Sequence, residues 1–186
     1  MKQNESIVMY VLRLAGTLLL ICAVTAGLLA GVNAITAPII AELNAAATQE
    51  AISAVLPGGF DSEITDYADA SGIVSKVYQG ANGYALEVGP GGFDNTITMM
   101  VGIDNEGKVL GISIVNHTET AGLGAVADAD TPKGIAFREQ FVGTSGSVSV
   151  TKDGGMMDAI TGATITSRAI CVGVNAALDC VAGLLG

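Results

Sequence analysis

The chain has no tryptophan, one histidine and three cysteines, and it sets 8 Lys and Arg against 18 Asp and Glu. Each scarcity excludes something. Nucleic-acid backbones are held by a basic face, which a net charge of -10 does not supply. One His and no C-x-x-C pair remove His-rich metal centres and the zinc and iron–sulfur signatures. Three Cys do not make a disulfide scaffold, and 186 residues can bury a core without one. No Walker loop or dinucleotide-binding glycine fingerprint is present. Charged residues make up 14% of the chain and hydrophobic ones 50%, which excludes disorder and directs attention to where the apolar excess lies.

It lies first at the N-terminus. Leu14 to Val32 reads LAGTLLLICAVTAGLLAGV without a charge, and the uncharged run continues to Ala41. Nineteen helical residues rise enough to cross a hydrocarbon core of about 30 Å. The run is longer than the apolar core of a cleaved signal peptide, and Val32 stands where a lipoprotein signal would need Cys, so a retained single-pass anchor is expected. Ala23, Gly27 and Gly31 lie four apart, which suits either close packing on another membrane helix or an incidental lipid-facing stripe. Lys2, Glu5 and Arg13 precede the span; six basic and 17 acidic residues follow it, the first basic one being Lys76. The positive-inside rule then puts the N-terminus in the cytoplasm and the rest outside. The expected organisation is a cytoplasmic N-terminus (1–13), a transmembrane helix (14–36), a helical connector (37–72) and an extracytoplasmic domain (73–186).

Pro38 should end or break the span. Glu42 to Leu56 reads as an Ala-rich helix stopped by Pro57-Gly58-Gly59. Ile73 to Tyr78, Tyr84 to Val88, Thr96 to Ile103 and Lys108 to Asn116 read as strands, the last two joined by a hairpin turn at Asp104–Gly107. A short helix is expected over Thr131 to Phe141 with Pro132 at its first position, a strand over Ser147 to Lys152, and a buried helix over Ser167 to Leu185. A helix, a meander of antiparallel strands and further helices make an α+β fold. Cys171 and Cys180, in apolar surroundings, read as buried and inert.

Two stretches are candidates for chemistry. NHTETAGLGA, residues 116–125, leaves the end of a strand and is crowded with small and polar residues, so it suits either a plain connection or a loop approached closely by a flat ligand. DAITGATITS, residues 158–167, brings four hydroxyls to the start of the last helix. Such residues act as N-caps; the free amides and positive dipole end equally suit a phosphate.

The stretch DAITGATITS resembles the flavinylation motif of bacterial covalent flavoproteins, an Asp followed by a (Ser/Thr)-Gly-Ala-Thr core. Asp158 matches the motif Asp, Thr161 the first core residue, Gly162 and Ala163 the small pair, and Thr164 the acceptor. HTETAGLG is similar to a second signature, His-x-Glu-Thr-x-Gly-Leu-Gly, and MMVGIDNEGKVLGISIVNH before it also resembles the family. Thr161 stands where Ser is commoner and Ala121 where Pro is frequent; neither touches the acceptor. With one N-terminal span, the resemblance covers most of the chain and is to the G subunit of the Rnf electron-transport complex. The C subunit of the sodium-translocating NADH:quinone reductase is the close relative and the alternative.

The resemblance implies FMN moved from FAD by a flavin transferase onto Thr164 as a phosphoester. It implies an electron carrier in an ion-translocating ferredoxin:NAD oxidoreductase, partnered by the other Rnf subunits, in the cytoplasmic membrane, with no independent catalysis by the isolated chain. Backbone amides near Thr164, Thr166 and Ser167 would meet the phosphate, with Arg168 a further candidate. Glu119, Thr120, Leu123 and Gly124 are the candidates for flavin-ring contacts, and Asp158 and Thr161 belong to the recognition motif. A different class stays open at this point: an anchored domain holding a free anion or flavin without a covalent bond.

Overall fold

The structure is a computed structural model that describes residues 2–186, with the side chains of residues 2–6 and 8 outside the description. The orientation argument from Lys2 and Glu5 therefore rests on side chains outside the description. The chain divides into two units, one up to Ala46 and one from Ala47 to Gly186.

Helix α1 spans Lys2–Val55 and passes through Pro38, which sequence reasoning expects to end or break it. A proline deletes one amide–carbonyl bond, and in a helix of 54 residues the turns on either side persist without it. In the first unit the large apolar side chains, Leu18, Leu19, Ile21, Leu28 and Leu29 among them, are exposed, as lipid contact requires. The hydroxyls of Thr17, Thr25 and Thr36 donate to the carbonyls of Arg13, Ile21 and Val32 one turn back, so these polar groups are satisfied within the helix.

In the second unit, five strands form an antiparallel meander in sequence order: β1 (Ser62–Ile64), β2 (Val74–Gly80), β3 (Gly83–Val88), β4 (Thr98–Asp104) and β5 (Val109–Asn116). The four expected strands are present, and β1, in a stretch without strand character in the sequence, adds to the edge beside β2. The hairpin turn forms as expected: Asp104 Oδ1 accepts from the amides of Glu106 and Lys108 at 2.8 Å each, and Gly107 takes φ +79°. The strands read as near-continuous apolar runs because both faces of the sheet are covered. Val77, Leu86, Met99, Val101 and Ile103 pack with Ile170, Val174, Ala177 and Val181 of α3 (Thr164–Leu185) and with Phe137 and Phe141. Tyr78, Ala85 and Met100 pack with Ala51, Ile52, Val55 and Leu56 at the end of α1. Helix α2 (Pro132–Glu139) has Pro132 in its first turn, capped by the Thr131 hydroxyl accepting from the Gly134 amide at 3.3 Å.

Two expectations are corrected. Ser147 to Lys152 is not a strand: the Asn175 side chain of α3 donates to the Val148 carbonyl (2.9 Å) and accepts from its amide (2.7 Å), and Thr151–Asp153 winds into a 3-10 turn. A side chain thus satisfies the backbone groups that a neighbouring strand would otherwise pair. Helix α3 starts at Thr164, three residues before the expected Ser167.

Cys171 and Cys180 are buried in α3. Burial pushes the Cys171 thiol up to about 11 and raises Cys180 as well, so neither is a thiolate near neutral pH. Alkylation of the full chain in detergent at pH 8 should leave both unmodified, and denaturant should expose both; peptide mass spectrometry reads the difference.

Candidate functional site

The start of α3 is shaped by its own loop. Gly162 takes φ +81°, a conformation closed to most side chains, and a Cβ there would lie 2.9 Å from Leu123 Cδ2. Ser167, fully buried, accepts from the Ile160 amide at 3.0 Å and donates to the Ala163 carbonyl at 3.0 Å. Ser167 therefore ties the loop to the helix and does not line the cavity described below. The N-cap residue is Ala163, with no side-chain cap, and the Ser167 amide bonds the Ala163 carbonyl at 3.0 Å. The amides of Thr164, Ile165 and Thr166 come before that first helical bond, and the Thr164 hydroxyl is free of capping duty.

The loop after β5 is held to this helix by one buried acid. Glu119 is 8% exposed; Oε1 accepts from the Phe93 amide at 2.7 Å and more weakly from Asp94 at 3.4 Å, while Oε2 accepts from the Thr166 hydroxyl. Its own amide donates to His117 Nδ1 at 3.2 Å. Gly124 makes this possible, since a Cβ there would sit 2.5 Å from Glu119 Oε2 and 2.6 Å from Thr166 Oγ1.

These two loops enclose a cavity of about 270 Å³. Of the residues singled out in the sequence, Glu119, Thr120, Leu123 and Gly124 from the first loop and Gly162, Ala163, Thr164 and Thr166 from the second line it together. Asp158 and Thr161 do not. With Gly122 and Gln140 they line a second cavity of about 540 Å³, where the Asp158 amide donates to Gln140 Oε1 at 2.6 Å.

Sequence reasoning missed Phe93, Lys152 and Ile165, which complete the first cavity. Phe93 and Ile165 are 65% and 49% exposed at its rim. Lys152 is the only cation lining it among the described residues, and its Nζ donates to Thr164 Oγ1 at 3.0 Å. No local spacing announces Lys152; the one available signal was the scarcity of cations after the span. Arg168, the other candidate for a phosphate contact, is committed elsewhere: Nε and Nη2 both bond the Asp153 carboxylate at 2.6 Å.

That bond to Arg168 holds the Asp153 carboxyl below the usual range, with desolvation opposing it. A lowered folded-state pKa means the stabilisation is present above the ordinary Asp value and is lost as pH falls through the lowered one. The Tm advantage of the wild type over Asp153→Asn should therefore shrink to nothing as pH falls well below about 4, as read by parallel melting curves.

Comparison with known proteins bears both on α1 and on the stretch that holds the two loops. The sequence model of the FMN-binding domain family matches residues 92–179, and that of the RnfG N-terminal region matches residues 1–55. The G subunit of the ion-translocating oxidoreductase complex of Methanosarcina acetivorans is 32% identical over 181 residues, covering 91% of this chain and 94% of the relative. This chain belongs to the family of G subunits of the ion-translocating oxidoreductase complexes. The G subunit of the Na(+)-translocating ferredoxin:NAD(+) oxidoreductase complex of Acetobacterium woodii is 34% identical over 146 residues, covering 67% of this chain and 69% of that one. A Vibrio cholerae G subunit is 37% identical over 97 residues, covering 50% of this chain and 46% of its own. As a G subunit, the chain joins an apolar N-terminal helix to an FMN-binding α+β domain.

The chemistry of the residues lining the cavity suits FMN. A hydroxyl, an ammonium and uncapped helix amides converge where a phosphoryl group would sit. Exposed apolar side chains, Phe93, Leu123 and Ile165, border the space an aromatic ring would occupy.

Proposed function

We propose that this G subunit carries FMN as a phosphoester on Thr164 and relays electrons within an ion-translocating ferredoxin:NAD oxidoreductase complex. The observation that carries this reading is the Thr164 hydroxyl, which does not cap its helix and opens into a cavity shared with the Glu119–Gly124 loop. FMN supplies the electron chemistry when bound, and no side chain of this chain would take part in bond making afterwards. Glu119 holds the two loops together, Leu123 and Phe93 flank the ring space, and Lys152 and the α3 amides face the phosphoryl end. In the attachment the Thr164 Oγ–H bond is replaced by an Oγ–P bond, the pyrophosphate bond of FAD breaks, and AMP and a proton leave. A flavin transferase supplies that reaction. Asp158 and Thr161, turned to the second cavity, would serve its recognition of the chain.

The charge asymmetry around the span supports a cytoplasmic N-terminus and an extracytoplasmic domain in the cytoplasmic membrane, with lipid around α1 and the rest of the complex as partners. A covalent tether suits that side, since a dissociated flavin could not be replaced from a cytoplasmic pool. The full chain should be expressed with and without a flavin transferase and run on a denaturing gel under ultraviolet light. A fluorescent band that depends on the transferase is the expected result. A flavin that leaves on denaturation would instead identify a non-covalent binding module.

A further inference from the structure

We infer that Lys152 is the countercharge of the flavin phosphoryl group and the residue that makes this cavity select a phosphorylated flavin. The inference rests on the reading of the cavity as the FMN site and assigns a role to a residue that no motif in the chain includes.

Three observations carry it. Lys152 Nζ lies 3.0 Å from Thr164 Oγ1, so the ammonium already sits against the atom that would bear phosphorus. The position is built. Lys152 belongs to the Thr151–Asp153 turn, whose ends are tied by the Thr151 amide to the Met157 carbonyl (2.9 Å) and the Gly155 amide to the Val150 carbonyl (3.1 Å). The adjacent Asp153 clamps Arg168, which stands one turn beyond Thr164 on the same face of α3. The turn is thereby fastened to α3, and the residue before Asp153 is placed over Thr164. Finally, the competing cation is consumed by that clamp. Arg168 has its guanidinium on Asp153, and Lys152 is the one cation lining the cavity among the described residues. An ammonium is a compact charge with three rotatable donors, so it can stay bonded to Oγ1 or turn to a phosphoryl oxygen without moving its stem.

The unloaded full chain in detergent, expressed without a transferase, should be titrated with FMN and with riboflavin, following flavin fluorescence. The wild type should prefer FMN. Lys152→Met should weaken FMN about tenfold, the effect of one lost charge-assisted hydrogen bond, while leaving riboflavin unchanged; Lys152→Arg should keep most of the preference. Equal weakening of both ligands, an unchanged FMN affinity in Lys152→Met, or no FMN preference in the wild type would overturn the inference. The covalent reading is judged separately by the transferase-dependent band of the wild type. Loss of that band with the FMN preference intact removes the tether and leaves the role of Lys152 standing.

Discussion

Thr164→Val, expressed with a flavin transferase, should yield a full chain with no covalent flavin, whereas Thr164→Ser should retain it. Valine keeps the shape of threonine and removes the one atom that can bond phosphorus. The substitution should fold normally. Thr164 is in the first turn of α3 but is not its cap, and the polar contact it loses is the donated bond from Lys152. The expected stability change is within about 1 kcal/mol, that of one half-exposed hydrogen bond. Had the hydroxyl been a cap, the same substitution would cost about 1 kcal/mol or more of helix stability and leave any flavin bond elsewhere. In-gel fluorescence and intact mass read the first effect and a melting curve the second. A fluorescent band that persists in Thr164→Val moves the attachment to another residue.

Glu119→Ala should produce the largest loss of stability among the site variants, about 2–4 kcal/mol, because it removes a buried carboxylate that accepts from the buried Thr166 hydroxyl and from part-buried backbone amides. The Phe93 and Asp94 amides and the Thr166 hydroxyl all point at this carboxylate. Gly92 and Gly124 are packed closely around it, so that a Cβ on either would collide with its oxygens. For a chain of this length the corresponding fall in Tm is about 10 °C. Glu119→Gln should recover about half: its amide oxygen accepts from Phe93, and its NH₂ donates to Thr166 Oγ1, which can reverse its role. Ala and Gln variants that melt alike would mean that the carboxylate does not latch the loops. The proposed flavin site should loosen in parallel, because Glu119 joins β5's outgoing loop to the start of α3.

Much of this was legible in the chain. The uncharged run from Leu14 announced a long apolar helix, since charge exclusion is a property of consecutive residues. The four main strands and the Asp104–Gly107 turn followed from β-branched runs and a glycine free to take positive φ. The hydroxyl-rich start of α3 was visible as a site, although whether it capped a helix or faced a ligand was undecided. Ser147 to Lys152 misled because its residues suit a strand, and its partner turned out to be the side chain of Asn175, 27 residues from Val148.

What the sequence by itself determined, then, is what depends on near neighbours: the apolar span, the strand meander, the motif around Thr164 and its resemblance to a covalent flavoprotein. What only the tertiary structure decided is which of those residues meet. Glu119 and Thr166 are 47 positions apart, and their hydrogen bond exists because α3 packs across the sheet and returns its first turn to the end of β5. Lys152 lies against Thr164 beside the Asp153–Arg168 clamp, and Asp158 and Thr161 turn to the second cavity although they share a motif with Thr164. Local chemistry sets the backbone's preferences over a few residues. The partners of a side chain are set by the packing that covers both faces of the sheet, and that packing is a property of the whole domain.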